Sequence, residues 1–340
     1  MPEPLIYRGR LGSFSLPCTA LRAVVGLMLL TLGIAVISLS SGSEWINPWQ
    51  LMSGSLNGEL STMVETLRLP RIVMGMLVGA GLGCSGLILQ SVIRNPLASP
   101  DVVGMTSGAC AAAVGFLAFF QMSYGIGWLP LFALGGAFFA SGAVYLLAWR
   151  QGVTPMRMIL VGIGVSAAMG AVTTLLIAIS PSSGSLSAYI WLTGSIYGAN
   201  WHDVQSLLPW LMVGFPLALC FSRQINAQEL GDPVATGLGI SVQKLRFILV
   251  MLSILLAAPV VAYAGAIGFV GLIAPHIARQ LVTRSFALLL PVTAMVGACL
   301  VMSADLVARV LFVPLDLPAG VFVSAIGAPF FIYLLFRQRT

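Results

Sequence analysis

Few residues in this chain have the types and spacing for covalent chemistry. Its two histidines, His202 and His276, stand alone, without the Ser, Cys or carboxylate neighbours that a catalytic triad or a metal site requires. The five cysteines, Cys18, Cys84, Cys110, Cys220 and Cys299, are scattered singly, four of them in or beside apolar runs, and read as small packing residues. The only lysine, Lys244, follows Gln243, and no G-x-x-x-x-G-K-[ST] phosphate loop occurs. No catalytic residue, metal ligand or bound cofactor is expected of this chain, so any ATP and magnesium chemistry must belong to another polypeptide.

The residues that stand out suit recognition instead. The stretch 223–246, RQINAQELGDPVATGLGISVQKLR, is long and polar for a connection between apolar segments. Asp232 followed by Pro233 starts a helix, with Asp232 as N-cap and Pro233 at the first helical position, and Gly237 or Gly239 ends it. A preceding turn over 226–230 is stopped by Gly231. This predicts two short helices with a sharp bend, exposing Leu230, Val234, Ala235 and Leu238 as an apolar ridge rimmed by Glu229 and Asp232. Such a ridge fits a partner's groove or lies on a lipid surface.

A second group is cationic. Arg68 and Arg71 precede one apolar run and Arg309 closes another, a placement that invites an acidic partner. Alternatively, Arg71 snorkels at an interface and Arg309 pairs with Asp305, four residues before it. Ser166, Thr173 and Thr174 sit inside an apolar run, where they line a polar path or bond back to their own helix.

The elements that position these residues follow from composition. The chain has 340 residues, 59% hydrophobic and 8% charged, with a mean hydropathy of +1.01, whereas soluble domains carry about a quarter charged residues. A soluble globular enzyme is excluded. The apolar runs are continuous and Gly-rich, without the alternation of a membrane barrel, so the spans are helices. Nine runs are plain, at 21–39, 72–93, 102–120, 129–149, 158–179, 204–221, 247–263, 288–307 and 321–336, and a tenth, 269–282, is short and contains Pro275 and His276. The first is too long for a signal-peptide core and is taken as an uncleaved span.

Charge placement decides the count. With ten spans, thirteen of the sixteen basic residues fall inside and only Arg68, Arg71 and Arg309 outside; nine spans degrade this to ten against six. The expected fold is therefore all-α: one polytopic domain over 1–340, with ten membrane helices and both termini cytoplasmic. Trp45 and Trp49 outside and Trp149 inside then lie at the interfaces. Gly75, Gly79 and Gly83 form a close-packing stripe on the second span, and 180–201 holds a short helix at the outer interface or dipping into a vestibule. The span middles contain no Asp, Glu or Lys, which argues against an ion-coupled carrier.

Several segments together carry a resemblance. R-L-P-R at 68–71, Q-S-V-I-R-N-P-L-A-S-P-D at 90–101, E-L-G-D-P-V-A-T-G-L-G at 229–239, G-A-I-G-F-V-G-L-I-A-P-H-I-A-R at 265–279, and A-D-L-V-A-R at 304–309 followed by L-P-A-G at 317–320 resemble the permease subunits of ferric-siderophore and vitamin B12 ABC importers. The match runs in the family's order from about residue 65 to the C-terminus. It implies a type II importer permease fold of ten helices, in a bacterial inner membrane, pairing with a second permease chain, two cytoplasmic ATPase subunits and a periplasmic binding protein. By that resemblance, helices at about 226–239 couple to the ATPase through Glu229, Leu230, Gly231, Asp232, Pro233, Ala235, Leu238 and Gly239, and Arg68 and Arg309 engage the binding protein. The segments at 95–101 and 191–198 are similar to the ferric citrate and enterobactin types, which implies an iron(III)-siderophore substrate and allows a heterodimer; vitamin B12 and haem are the alternatives within the family. Outside it stand a secondary carrier driven by an ion gradient and an intramembrane enzyme, for which no facing nucleophile and base are found. No nucleic-acid partner is expected.

Overall fold

The computed structural model describes residues 5–9, 12–16, 18–42, 45–53, 58–180, 182–282, 285–312 and 316–337. A short antiparallel hairpin, β1 (Leu5–Gly9) and β2 (Gly12–Leu16), with Gly9 opposite Gly12, precedes the helices. Residues 5–9 and 12–16 hold no long apolar run, and from α1 onward the described residues form the all-α fold expected. Of the basic residues used to orient the chain, Arg10, Arg284 and Arg339 lie outside the described residues.

The helices follow as α1 (Cys18–Ser40), α2 (Pro48–Ser53), α3 (Gly58–Met63), α4 (Leu69–Ile93), α5 (Met105–Phe119), α6 (Gln121–Tyr124), α7 (Leu129–Ala148), α8 (Pro155–Ile179), α9 (Ser182–Leu192), α10 (Trp201–Cys220), α11 (Ser222–Glu229), α12 (Asp232–Gly237), α13 (Val242–Ala264), α14 (Val270–Leu281), α15 (Phe286–Leu311) and α16 (Ala319–Arg337). A π-helical turn, Val64–Arg68, joins α3 to α4 without a break. Helices occupy all ten places that the apolar runs mark. Seven of them, in α1, α4, α7, α8, α10, α13 and α15, have the length and apolarity of a full crossing, while α5 and α16 carry shorter apolar segments. The twelve residues of α14 reach only about 18 Å at about 1.5 Å each, short of a hydrocarbon core of about 30 Å. A non-helical stretch, 265–269, precedes it, and its N-cap, Phe269, has a left-handed φ of 65°.

The core lies where α4 packs on α13, α14 and α15. The glycine stripe of α4 is a packing device: a Cβ on Gly79 would lie 2.1 Å from the Gly297 carbonyl oxygen, and one on Gly86 2.0 Å from that of Gly271. Of the apolar window of the span that ends in α4, 78% is buried, against 11% for α8. Cys84, Cys110 and Cys299 are buried and Cys220 is exposed.

Candidate functional site

The chain's polar chemistry gathers at the two ends of α4. At one end, the last turn of α4 holds the α11–α12 segment. The Ser91 hydroxyl donates to Glu229 Oε1 at 2.7 Å, and Arg94 donates to Asp232 Oδ1 at 2.6 Å. Arg94 is the left-handed C-cap of α4, at φ 55°, and that conformation ends the helix where its side chain is needed. Asp232 also receives Arg246 on both oxygens at 3.1 Å. Arg246 is only 1% exposed and donates its other terminal nitrogen to the Val153 carbonyl. Asp232 therefore joins α12 to α4 and α13 through two guanidiniums. Asn226 Oδ1 accepts the Phe286 amide at 3.0 Å, which ties α11 to α15. Gln90, one turn before Arg94, accepts from Arg279 and donates to the Gly271 carbonyl, binding the same end of α4 to α14.

The expected bend is present, with differences. The first helix starts at Ser222 instead of 226, continuing α10 after one turn residue. Gly231 and not Asp232 is the N-cap of α12; glycine has no side chain to cap with, and the Asp232 carboxylate is taken by the two arginines. Gly231 sits at φ 116°, open to glycine and strained for other residues, although a Cβ there would meet nothing closer than 3.7 Å. Leu230, Val234 and Leu238 are exposed, at 68%, 47% and 64%. Ala235, expected on the ridge, is buried: it lies three residues after Asp232, on the helix face pulled onto the scaffold. Pro233 is inside the first turn of α12, and Gly239, at φ 82°, follows its end.

At the other end of α4 the arginines point inward. Arg71 pairs with buried Asp305 through two nitrogens at 2.8–3.0 Å, lies 3.4 Å from Asp316, and stacks 5.5 Å from the Tyr197 ring. It does not snorkel, because a carboxylate from α15 is within reach. Arg309 shares that carboxylate, with its Nε 3.9 Å from Asp305 Oδ2 as the i, i+4 spacing suggested, and also donates to the Ser38 carbonyl and hydroxyl. Arg68, 6% exposed, donates to the carbonyls of Leu39 and Ser40. Both arginines thus serve the final carbonyls of α1, which a helix leaves without partners.

The structure separates the three hydroxyls of α8. Thr173 and Thr174 donate to their own helix, to Met169 O at 2.8 Å and Gly170 O at 3.0 Å. Ser166 donates to the Asp101 carbonyl at 3.3 Å and lines a cleft of about 430 Å³ with Asp101, Thr106, Ser107 and Cys110. His202 is exposed beside Asp203, and His276 contacts Gln280 in its own helix. Sequence reasoning missed Arg94 and Arg246 as partners of Asp232; the available signal was a lone arginine at the end or start of an apolar run, next to an acidic loop.

Comparisons with known proteins agree along nearly the whole chain. The chain is similar to the achromobactin transport system permease protein CbrC of Dickeya dadantii (strain 3937), 48% identical over 342 residues covering 100% of this chain and 98% of that one. It is similar to the iron(3+)-hydroxamate import system permease protein FhuG of Bacillus subtilis (strain 168), 42% identical over 322 residues covering 92% and 95%. A solved structure described as an inward-facing conformation of a metal-chelate type ABC transporter superposes with a TM-score of 0.84 at 32% identity, covering 92% of this chain and 98% of that one. A family model matches residues 29–337, and the chain accordingly belongs to the FecCD transport family, as a multi-pass importer permease.

Proposed function

We propose that this chain is the membrane-spanning subunit of an ATP-driven importer that carries an iron(III)-siderophore complex into the cytoplasm, with both its termini on the cytoplasmic side. The observation that carries the coupling assignment is the α11–α12 ridge: three exposed apolar side chains, Leu230, Val234 and Leu238, on a segment fastened to α4 through Ser91 and Arg94. An ATPase groove gripping that ridge, at Glu229 to Gly239, would move the core helix with it. Magnesium and ATP would be bound by that partner. The similarity to permeases named for achromobactin and iron(3+)-hydroxamate supports the substrate class. The exposure of α8, with Gly164 and Gly170 facing open space, supports a second permease chain there, and the Ser166 cleft supports a path along it.

The test is uptake of radio-iron chelates into proteoliposomes holding the chain with its co-expressed partners, against a panel of hydroxamate, citrate and catecholate complexes, haem and vitamin B12. ATP-dependent uptake of an iron chelate is expected. Uptake that follows an imposed ion gradient without an ATPase would establish a secondary carrier instead.

Docking of an acidic binding protein at Arg68 and Arg309 belongs to this proposal. The second reading, that they only anchor α1, is favoured by their bonds to Leu39, Ser40 and Ser38. The Arg68→Glu/Arg309→Glu variant separates the two. Docking requires weaker binding-protein affinity in a variant whose α1 stays protected from protease. Unchanged affinity leaves anchoring alone.

A further inference from the structure

The end of α7 and the start of α13 frame an apolar groove of about 570 Å³ that the coupling site does not use, lined by Tyr145, Leu146, Trp149, Lys244, Phe247 and Ile248, with Gln243 at its rim. Its wall is aromatic: Tyr145 meets Phe247 edge-on at 5.2 Å and Trp149 at 6.0 Å. The frame is fixed, because Gln243 Oε1 accepts the Val153 amide at 2.9 Å and buried Arg246 holds the Val153 carbonyl. One cation, Lys244, lines the groove, and a second, Arg150, follows the lining residue Trp149 in the chain. Both are exposed, and neither side chain has a hydrogen bond or ion pair among the described residues. The hydroxyl of Tyr145, a lining residue, is buried and has no hydrogen-bond partner among the described residues.

We infer that this groove binds one anionic phospholipid of the cytoplasmic leaflet, its acyl chain along Leu146, Phe247 and Ile248 and its phosphate between Lys244 and Arg150. The inference rests on the orientation that places the ends of α7 and α13 at the cytoplasmic boundary, where Trp149 and the basic residues belong. Charge complementarity selects the occupant. An apolar groove with unpaired Lys244 in its wall and Arg150 next to its Trp149 matches a hydrocarbon chain ending in a negative headgroup, and each basic side chain near the surface favours anionic lipid. A zwitterionic lipid brings no net charge to match them, and a protein helix would have to present carboxylates at this depth.

The experiment is native mass spectrometry of the complex purified with its partners, delipidated, then titrated with dioleoyl phosphatidylglycerol or dioleoyl phosphatidylcholine. One phosphatidylglycerol per chain is expected, at a preference on the order of tenfold, as two surface cations provide. In Lys244→Gln/Arg150→Gln the preference falls to about one with the complex intact; in Phe247→Ala both lipids are held less. Equal binding of the two lipids by the wild type, or a preference that survives the double variant, overturns the inference. So does a photo-crosslinker at Leu146 that captures a polypeptide instead of lipid. Iron uptake is not a readout, so failure of the substrate assignment leaves this result standing. Labelling of Lys244→Cys from the outer side would locate a failure in the orientation.

Discussion

The two ends of α4 use the same chemistry to opposite purposes. At the Arg94 end, two carboxylates of the α11–α12 segment are held by donors of α4 and α13, and Leu230, Val234 and Leu238 are left facing outward. At the Arg71 end, the carboxylate of Asp305 and the carbonyls of α1 consume the cations. Polar groups at the first end fasten a segment so that it can present a ridge. At the second they close the chain on itself. A charged residue is thus a poor marker of an exposed contact here, and an exposed leucine beside a satisfied carboxylate is a better one.

Breaking the first end tests this most severely. Gly231→Trp places a side chain at φ 116°, a conformation that costs about 1–3 kcal/mol for non-glycine residues. Iron uptake is expected to fall to background while the protein remains in the membrane fraction; unchanged transport would remove the coupling assignment. At the second end, Asp305→Ala leaves Arg71 and Arg309 buried without their carboxylate. A loss of about 3–5 kcal/mol in unfolding experiments in detergent is expected, and a loss under about 1 kcal/mol would mean the cluster does not lock the helices.

Asp232→Asn sharpens the contrast. It preserves shape but removes the charge facing Arg246, and because 40% of the Asp232 side chain is exposed the cost is expected at about 1–2 kcal/mol, below the fully buried figure. Uptake should drop severalfold with ATPase binding retained. The smallest effect is expected on α8. Thr174→Val removes a hydroxyl bonded to its own helix, and uptake should stay within about twofold of wild type, as for substitutions worth about 0.5 kcal/mol.

The helices were legible because a bilayer permits little else. Apolar runs such as 129–149 and 158–179 reappear as α7 and α8, within a few residues. The bend at Gly231 was legible from Asp232-Pro233, a local signal. The facing of Ala235 was not, because one turn of helix has no periodicity to read and a partner on another element decides its direction. Arg71 and Asp305, 234 residues apart, and Arg94 and Asp232, 138 apart, pair only once α4 has packed against its neighbours. Proximity along the chain suggested Asp305 for Arg309, and that pair forms at 3.9 Å; what it did not reveal is that Arg71 takes the same carboxylate in the closer, bidentate geometry.

The Gly79–Gly297 contact has a mechanical consequence. The 25 residues of α4 span about 37 Å at about 1.5 Å each, with Arg71 near one end, Arg94 just past the other, and this backbone-to-backbone touch between them. It works as a hard stop: a Cβ on either glycine would fall 2.1 Å from the other's carbonyl oxygen, so a single methyl group at this point would act as a wedge and prise α4 and α15 apart along their whole shared length.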